Sequence, residues 1–173
     1  MEFGVSRDFV PELINMEMQF PFLSMMSGLS QSTASIAAPY VWSLILSLAT
    51  LLVSIVLLYI ARFSARLEIK DLGALRSMFD RFPAWGKRAS WAQQNSFEAF
   101  TIHAPAALLA AVAVLSGHTL PAVAVAVAWA HPVLRVAYIS AYLFNVSIVR
   151  SVTWFLGLLC SGMLYGMGLQ ALM

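Results

Sequence analysis

Between Pro39 and Arg62 the chain runs without a single charged residue. A helix needs about 20 apolar residues to cross the hydrocarbon core of a bilayer, and few other folds tolerate so long an uncharged run. Three more stretches follow in the same style. Ala89 to Ser116 holds one charge, Glu98. Pro121 to Phe144 holds Arg135, and Ile148 to Leu172 holds Arg150. The whole chain is 10% charged and 61% hydrophobic, where a soluble domain carries about 25% charged residues. Its mean hydropathy is +0.81.

In lipid every backbone polar group must find its partner inside the segment, so these stretches read as helices. Gly117 to Thr119 and Asn145 to Ser147 leave only short turns. Short turns force antiparallel neighbours, and the expected fold is an all-α, up-down four-helix bundle in the membrane. The spans fall at about residues 39–62, 89–116, 120–144 and 148–172, within a domain over 39–173, and Pro39 suits the start of the first helix. Residues 1–38 form an extension whose first part is acidic, with Glu2, Asp8, Glu12 and Glu17 against Arg7. It lacks the basic start and apolar run of a secretory signal and reads as a segment lying on the membrane surface, or as sequence upstream of a start near Met16 or Met18.

Nine of the ten basic residues fall on one side of such a bundle. The loop after the first span carries Arg62, Arg66, Lys70, Arg76, Arg81, Lys87 and Arg88, while Arg135 and Arg150 flank the turn between the last two spans. By the positive-inside rule that side is cytoplasmic. There is no basic stripe with interleaved aromatics, so nucleic acid is not an expected partner. A lone cysteine, Cys160, excludes an internal disulfide and any Cys-based zinc site, and it reads as packing. No metal is expected. Gly157, Gly162, Gly166 and Gly168 allow helices to approach closely, within the bundle or between copies.

Charge inside a membrane is costly, which makes Glu98, Arg135 and Arg150 functional candidates. Helical spacing puts Trp91, Asn95, Glu98 and Ile102 on one stripe, with Arg88 a turn further out. His131, Arg135, Tyr138 and Tyr142 form a second stripe on the third span. Arg150 stands in the first turn of the fourth. All but His131 lie towards the cytoplasmic ends of their helices and can converge there. A Glu98–Arg135 ion pair tying two helices together is the plainer reading of two of them. Arg150 alone would serve as a snorkelling anchor. His131, ahead of Pro132, reads as a helix–helix hydrogen-bonding group, His118 as a turn residue, and His103 lacks ligand partners at metal spacing.

Arg88-Ala89 followed by Asn95 and Glu98, then Arg135, Tyr138 and Tyr142, then Arg150, resembles the signatures of the MAPEG superfamily, the membrane-associated proteins in eicosanoid and glutathione metabolism. The resemblance covers about residues 40–170. It implies a homotrimer with glutathione in a cleft between subunits near the cytoplasmic face, and a hydrophobic small molecule entering from the bilayer. Carried over, Asn95 and Glu98 match second-helix glutathione contacts, with Glu98 a partner for the ligand ammonium or for Arg135. Arg135, Tyr138 and Tyr142 match third-helix contacts, and Arg150 matches the arginine that holds the thiolate. A thiolate is the nucleophilic form of a thiol, and an arginine at a helix N-terminus favours it. The implied function is a glutathione-dependent transferase or peroxidase in a bacterial inner membrane.

The chain departs from the pattern at Trp91, where members often carry arginine and which Arg88 would have to replace. Ala99 stands where eicosanoid enzymes often have an aromatic, and the loop from Ser64 to Ala84 is long. A MAPEG-like scaffold without chemistry is therefore the alternative. A channel or transporter is disfavoured, because one polar pocket at one end of four spans is no conduit.

Overall fold

The computed structural model describes residues 21–173, with side chains from Ala34 onward. Helix α1 runs Pro21–Ser64, α2 Ala84–Leu115, α3 Ala122–Leu143 and α4 Ser147–Leu172. Two 3-10 helices, Ile69–Gly73 and Leu75–Arg81, fill the connection between α1 and α2. Among the described residues, four helices are long and apolar enough to cross a membrane: Ala34–Ser64, Ala84–Leu115, Ala122–Leu143 and Ser147–Leu172. The chain divides into two units, Met1–Ile36 and Ala37–Met173, and everything below concerns the second.

Pro39 does not open the first helix, contrary to the reading of the sequence; it lies inside α1. Interior prolines are tolerated in membrane helices because neighbours re-satisfy the freed backbone groups. Pro105 and Pro132 sit inside α2 and α3 in the same way. Of the extension expected over residues 1–38, residues 1–20 lie outside the described residues and 21–38 belong to α1.

The turns follow from residues that accept a left-handed backbone. Gly117 has φ +89°, and its neighbour His118 donates its N–H back to Ala113 O at 3.1 Å. Asn145, at φ 61°, repeats the motif after α3, with Val146 N–H on Ala141 O at 2.8 Å. Both satisfy the last carbonyls of a helix and reverse the chain at once. The second turn delivers the start of α4 beside the end of α3.

The core is built from small side chains. Ala106, Ala110 and Ala111 of α2 meet Ala124 and Ala128 of α3, Cys160 and Leu164 of α4, and Ala37 and Tyr40 of α1. Large apolar residues such as Leu52, Val133 and Phe155 are turned outward. Driving force in lipid comes from close packing rather than from hiding apolar area, so this inversion suits a bilayer. The intimate glycines are Gly86 and Gly168. A Cβ at Gly86 would lie 2.9 Å from Ala61 Cβ, and one at Gly168 would lie 3.1 Å from Leu109 Cγ. Gly162 and Gly166, at small-xxx-small spacing, meet nothing within 4 Å among the described residues.

The connection after α1 has its own small core, Leu58, Met78 and Phe82. Asp71 anchors it through an ion pair with Arg81 at 2.5 Å and by accepting the Glu68 N–H at 3.0 Å. The Arg81 hydrogen bond, followed by the backbone one, holds the Asp71 carboxyl below its ordinary value.

Candidate functional site

Four side chains stack in sequence at the Asn145 end of the bundle. The Arg135 guanidinium lies over the Tyr138 ring, 4.2 Å from its centre. Tyr138 meets Tyr142 edge to face, with centres 5.2 Å apart. Arg150 covers Tyr142 at 4.8 Å. Spacings of three, four and eight residues make this possible. Arg135, Tyr138 and Tyr142 climb one face of α3, and the tight turn at Asn145 folds Arg150 back onto the last ring. Cations over aromatic faces are attracted more strongly where water is excluded.

Arg150 is the fourth residue of α4 and donates its N–H to Val146 O at 3.1 Å. The cap residue, Val146, makes no side-chain cap hydrogen bond. The N-terminal end of the helix therefore adds its partial positive charge beside the guanidinium. A cleft of about 410 Å³ opens here, lined by Asn95, Tyr138, Arg150, Ser151, Trp154 and Phe155. Asn95 donates from Nδ2 to Glu98 Oε2 at 3.5 Å, while its own Oδ1 is buried without a partner among the described residues. A buried acceptor without a donor is uncommon.

The Glu98–Arg135 ion pair expected as the plainer reading does not form. Among the described residues the ion pairs are Lys70–Glu68 and Arg81–Asp71. Arg135 is buried, stacked on Tyr138, and donates to Ser96 Oγ at 3.1 Å. Glu98 is exposed on the outer side of α2. Both line a second hollow of about 60 Å³, separate from the cleft but sharing Trp154 with it. Arg88 stands apart. It donates from Nε to Leu143 O at 3.2 Å, a cation on the C-terminal carbonyls of α3. Trp91 packs on Phe79, ring centres 5.7 Å apart. It borders a separate cavity of about 480 Å³ with Arg62, Arg76, Gln93 and Gln94. The sequence did not signal that cavity, because its walls come from the connection as well as from α1 and α2.

A buried network also escaped the sequence. The imidazoles of His103 and His131 stack 3.5 Å apart and 3° from parallel. His103 bonds Ser43 Oγ at 2.9 Å and Ser161 Oγ at 3.1 Å; His131 Nδ1 bonds Ser47 Oγ at 2.9 Å. All four helices thus contribute to one polar knot in the membrane interior. The expected helix–helix role of His131 is met, with α1 as its partner.

Residues 39–170 match the MAPEG family. The chain belongs to that family, whose members are membrane proteins of glutathione-related transferase and peroxidase type. No curated protein and no solved structure matches it significantly.

Proposed function

We propose that this protein binds glutathione in the cleft beside Arg150 and activates its thiol towards lipophilic electrophiles or hydroperoxides. The observation that carries this is the Arg135–Tyr138–Tyr142–Arg150 stack, which ends in a guanidinium at a helix start. Arg150 and the first turn of α4 stabilise a thiolate over a thiol. Arg135 and Arg150 suit carboxylates, and the exposed Glu98 suits an ammonium. The unpartnered Asn95 Oδ1 accepts from a peptide N–H. Tyr138 and Tyr142 hold both arginines in place. The second substrate arrives from the bilayer along α2 and α4.

In this reading three copies assemble, which closes the outward-facing cleft, and the site faces the cytoplasm of a bacterial cell. Arg88, committed to Leu143 O, serves glutathione by fixing the end of α3 rather than by touch. A second reading, a family scaffold without chemistry, is favoured by Trp91. It stands where members often carry arginine, and it is 48% exposed and turned to a different cavity.

The deciding measurement is glutathione affinity together with the ultraviolet absorbance of the thiolate, on purified protein in detergent. Binding with a thiolate band that disappears in Arg150→Ala supports the enzyme. Absence of binding at millimolar glutathione leaves the scaffold.

A further inference from the structure

The second hollow has a chemistry of its own. It is lined by Glu98, Ile102, His131, Arg135, Gly157 and Ser161, among others. At about 60 Å³ it takes a polar head group but not a hydrocarbon tail.

The hydrogen-bond partners favour one imidazole tautomer. The buried Ser47 hydroxyl has one partner among the described residues, His131 Nδ1 at 2.9 Å. A hydroxyl in the membrane interior must donate, so Ser47 donates and Nδ1 accepts. The His131 proton then sits on Nε2. That nitrogen has no protein partner among the described residues. It lies on the ring edge that meets α4, since the position of a Cβ at Gly157 is 3.8 Å from the adjacent Cδ2. Gly157 keeps this edge open to the hollow. Arg135, one turn along α3, lines the same hollow. An N–H donor left free in a water-poor site calls for an acceptor.

We infer that this hollow is an oxygen-recognition subsite, in which His131 Nε2–H donates to the carbonyl oxygen of a lipophilic compound whose chain lies outward past Ile102 and Leu158. It deepens the proposed function by assigning the head-group chemistry of the second substrate, and it rests on that reading only for the role of the bound compound. His131 is here a specificity-determining residue.

The test is infrared spectroscopy of the full chain in detergent without glutathione, using 2-nonanone as probe. Wild type should give a saturable carbonyl band shifted to lower frequency, as hydrogen bonding requires. Gly157→Ala adds a methyl group at ordinary contact distance, so the bundle should keep its melting temperature while the band is lost. His131→Phe should also lose it. A wild-type spectrum without a shifted saturable band overturns the inference, as does a folded Gly157→Ala or His131→Phe protein that retains it. Because glutathione is absent, failure of the thiol chemistry and failure of this subsite register separately.

Discussion

Arg135 is the buried start of the cation–aromatic stack. It is a cation, 2% exposed, inside a membrane helix, and it is held by a ring face and a serine rather than by a carboxylate. Such an arrangement needs a flat guanidinium that can stack and donate at once, which an ammonium cannot do. Arg135→Lys should therefore lower stability by about 1–2 kcal/mol, on the scale of a desolvated cation–π contact. Thermal melts in detergent followed by tryptophan fluorescence would show it. The same substitution should weaken glutathione binding by on the order of tenfold, equivalent to about 1.4 kcal/mol, in equilibrium dialysis. An unchanged melt would mean that the stack contributes little to holding α3.

At the scale of elements, the glycines divide into two kinds. Gly86→Ala forces a methyl group into Ala61 Cβ, where a contact of 2.9 Å must be relieved by moving α1 from α2. Overpacking of this sort costs about 1–3 kcal/mol. Gly162→Ala meets nothing within 4 Å, and alanine is the better helix former by about 1 kcal/mol, so its melting temperature should hold or rise. The connection between α1 and α2 is predicted to respond to acid. Asp71 titrates below its unfolded value because of Arg81 and the Glu68 N–H. Its stabilisation is complete above the ordinary carboxylate range, about pH 4, and fades as pH falls towards the lowered folded value. Limited proteolysis with an acid protease should cut residues 67–82 faster below about pH 4. Asp71→Asn should be cut readily at higher pH too.

These elements also show what a sequence can reveal. The α3 stripe was legible because residues at three- and four-residue spacing share a helix face whatever the neighbours do. The convergence of Arg150 followed from a turn too short to lead elsewhere. Pro39 misled because proline at a helix start is the commoner case in water. The Glu98–Arg135 pair misled because spacing fixes a face and not a rotamer. Arg135 turned to Ser96, on the same helix as Glu98 but directed inward. The histidine knot was illegible for a different reason. Its bonds join residues 58, 60 and 84 positions apart, and no local pattern encodes which helices become neighbours.

For the whole molecule, the sidedness that its basic residues predict can be tested chemically. Cys160 is buried, so the natural chain offers a nearly silent background to thiol reagents. A cysteine at exposed Ser77, in the connection, should react with an impermeant maleimide only when the cytoplasmic face is presented. A cysteine at exposed His118 should show the opposite preference. Labelling of both from one side would refute the up-down arrangement. On the proposed reading, in which three copies close the cleft, native mass spectrometry from detergent should release a three-copy species.

The histidine knot bears finally on how such a chain is made. Ser43 and Ser47 leave the ribosome before the rest of the knot, within a span that is otherwise greasy enough to enter the bilayer alone. Their partners, His103, His131 and the carbonyl of Ala128, come later, and Ser161 follows later still. Insertion and folding are thereby separated in time. The hairpin of the first two helices can dwell in lipid or at the translocon, but the interior is sealed only when the last helix arrives. A ribosome stalled before residue 161 would hold a chain that is already in the membrane and not yet locked.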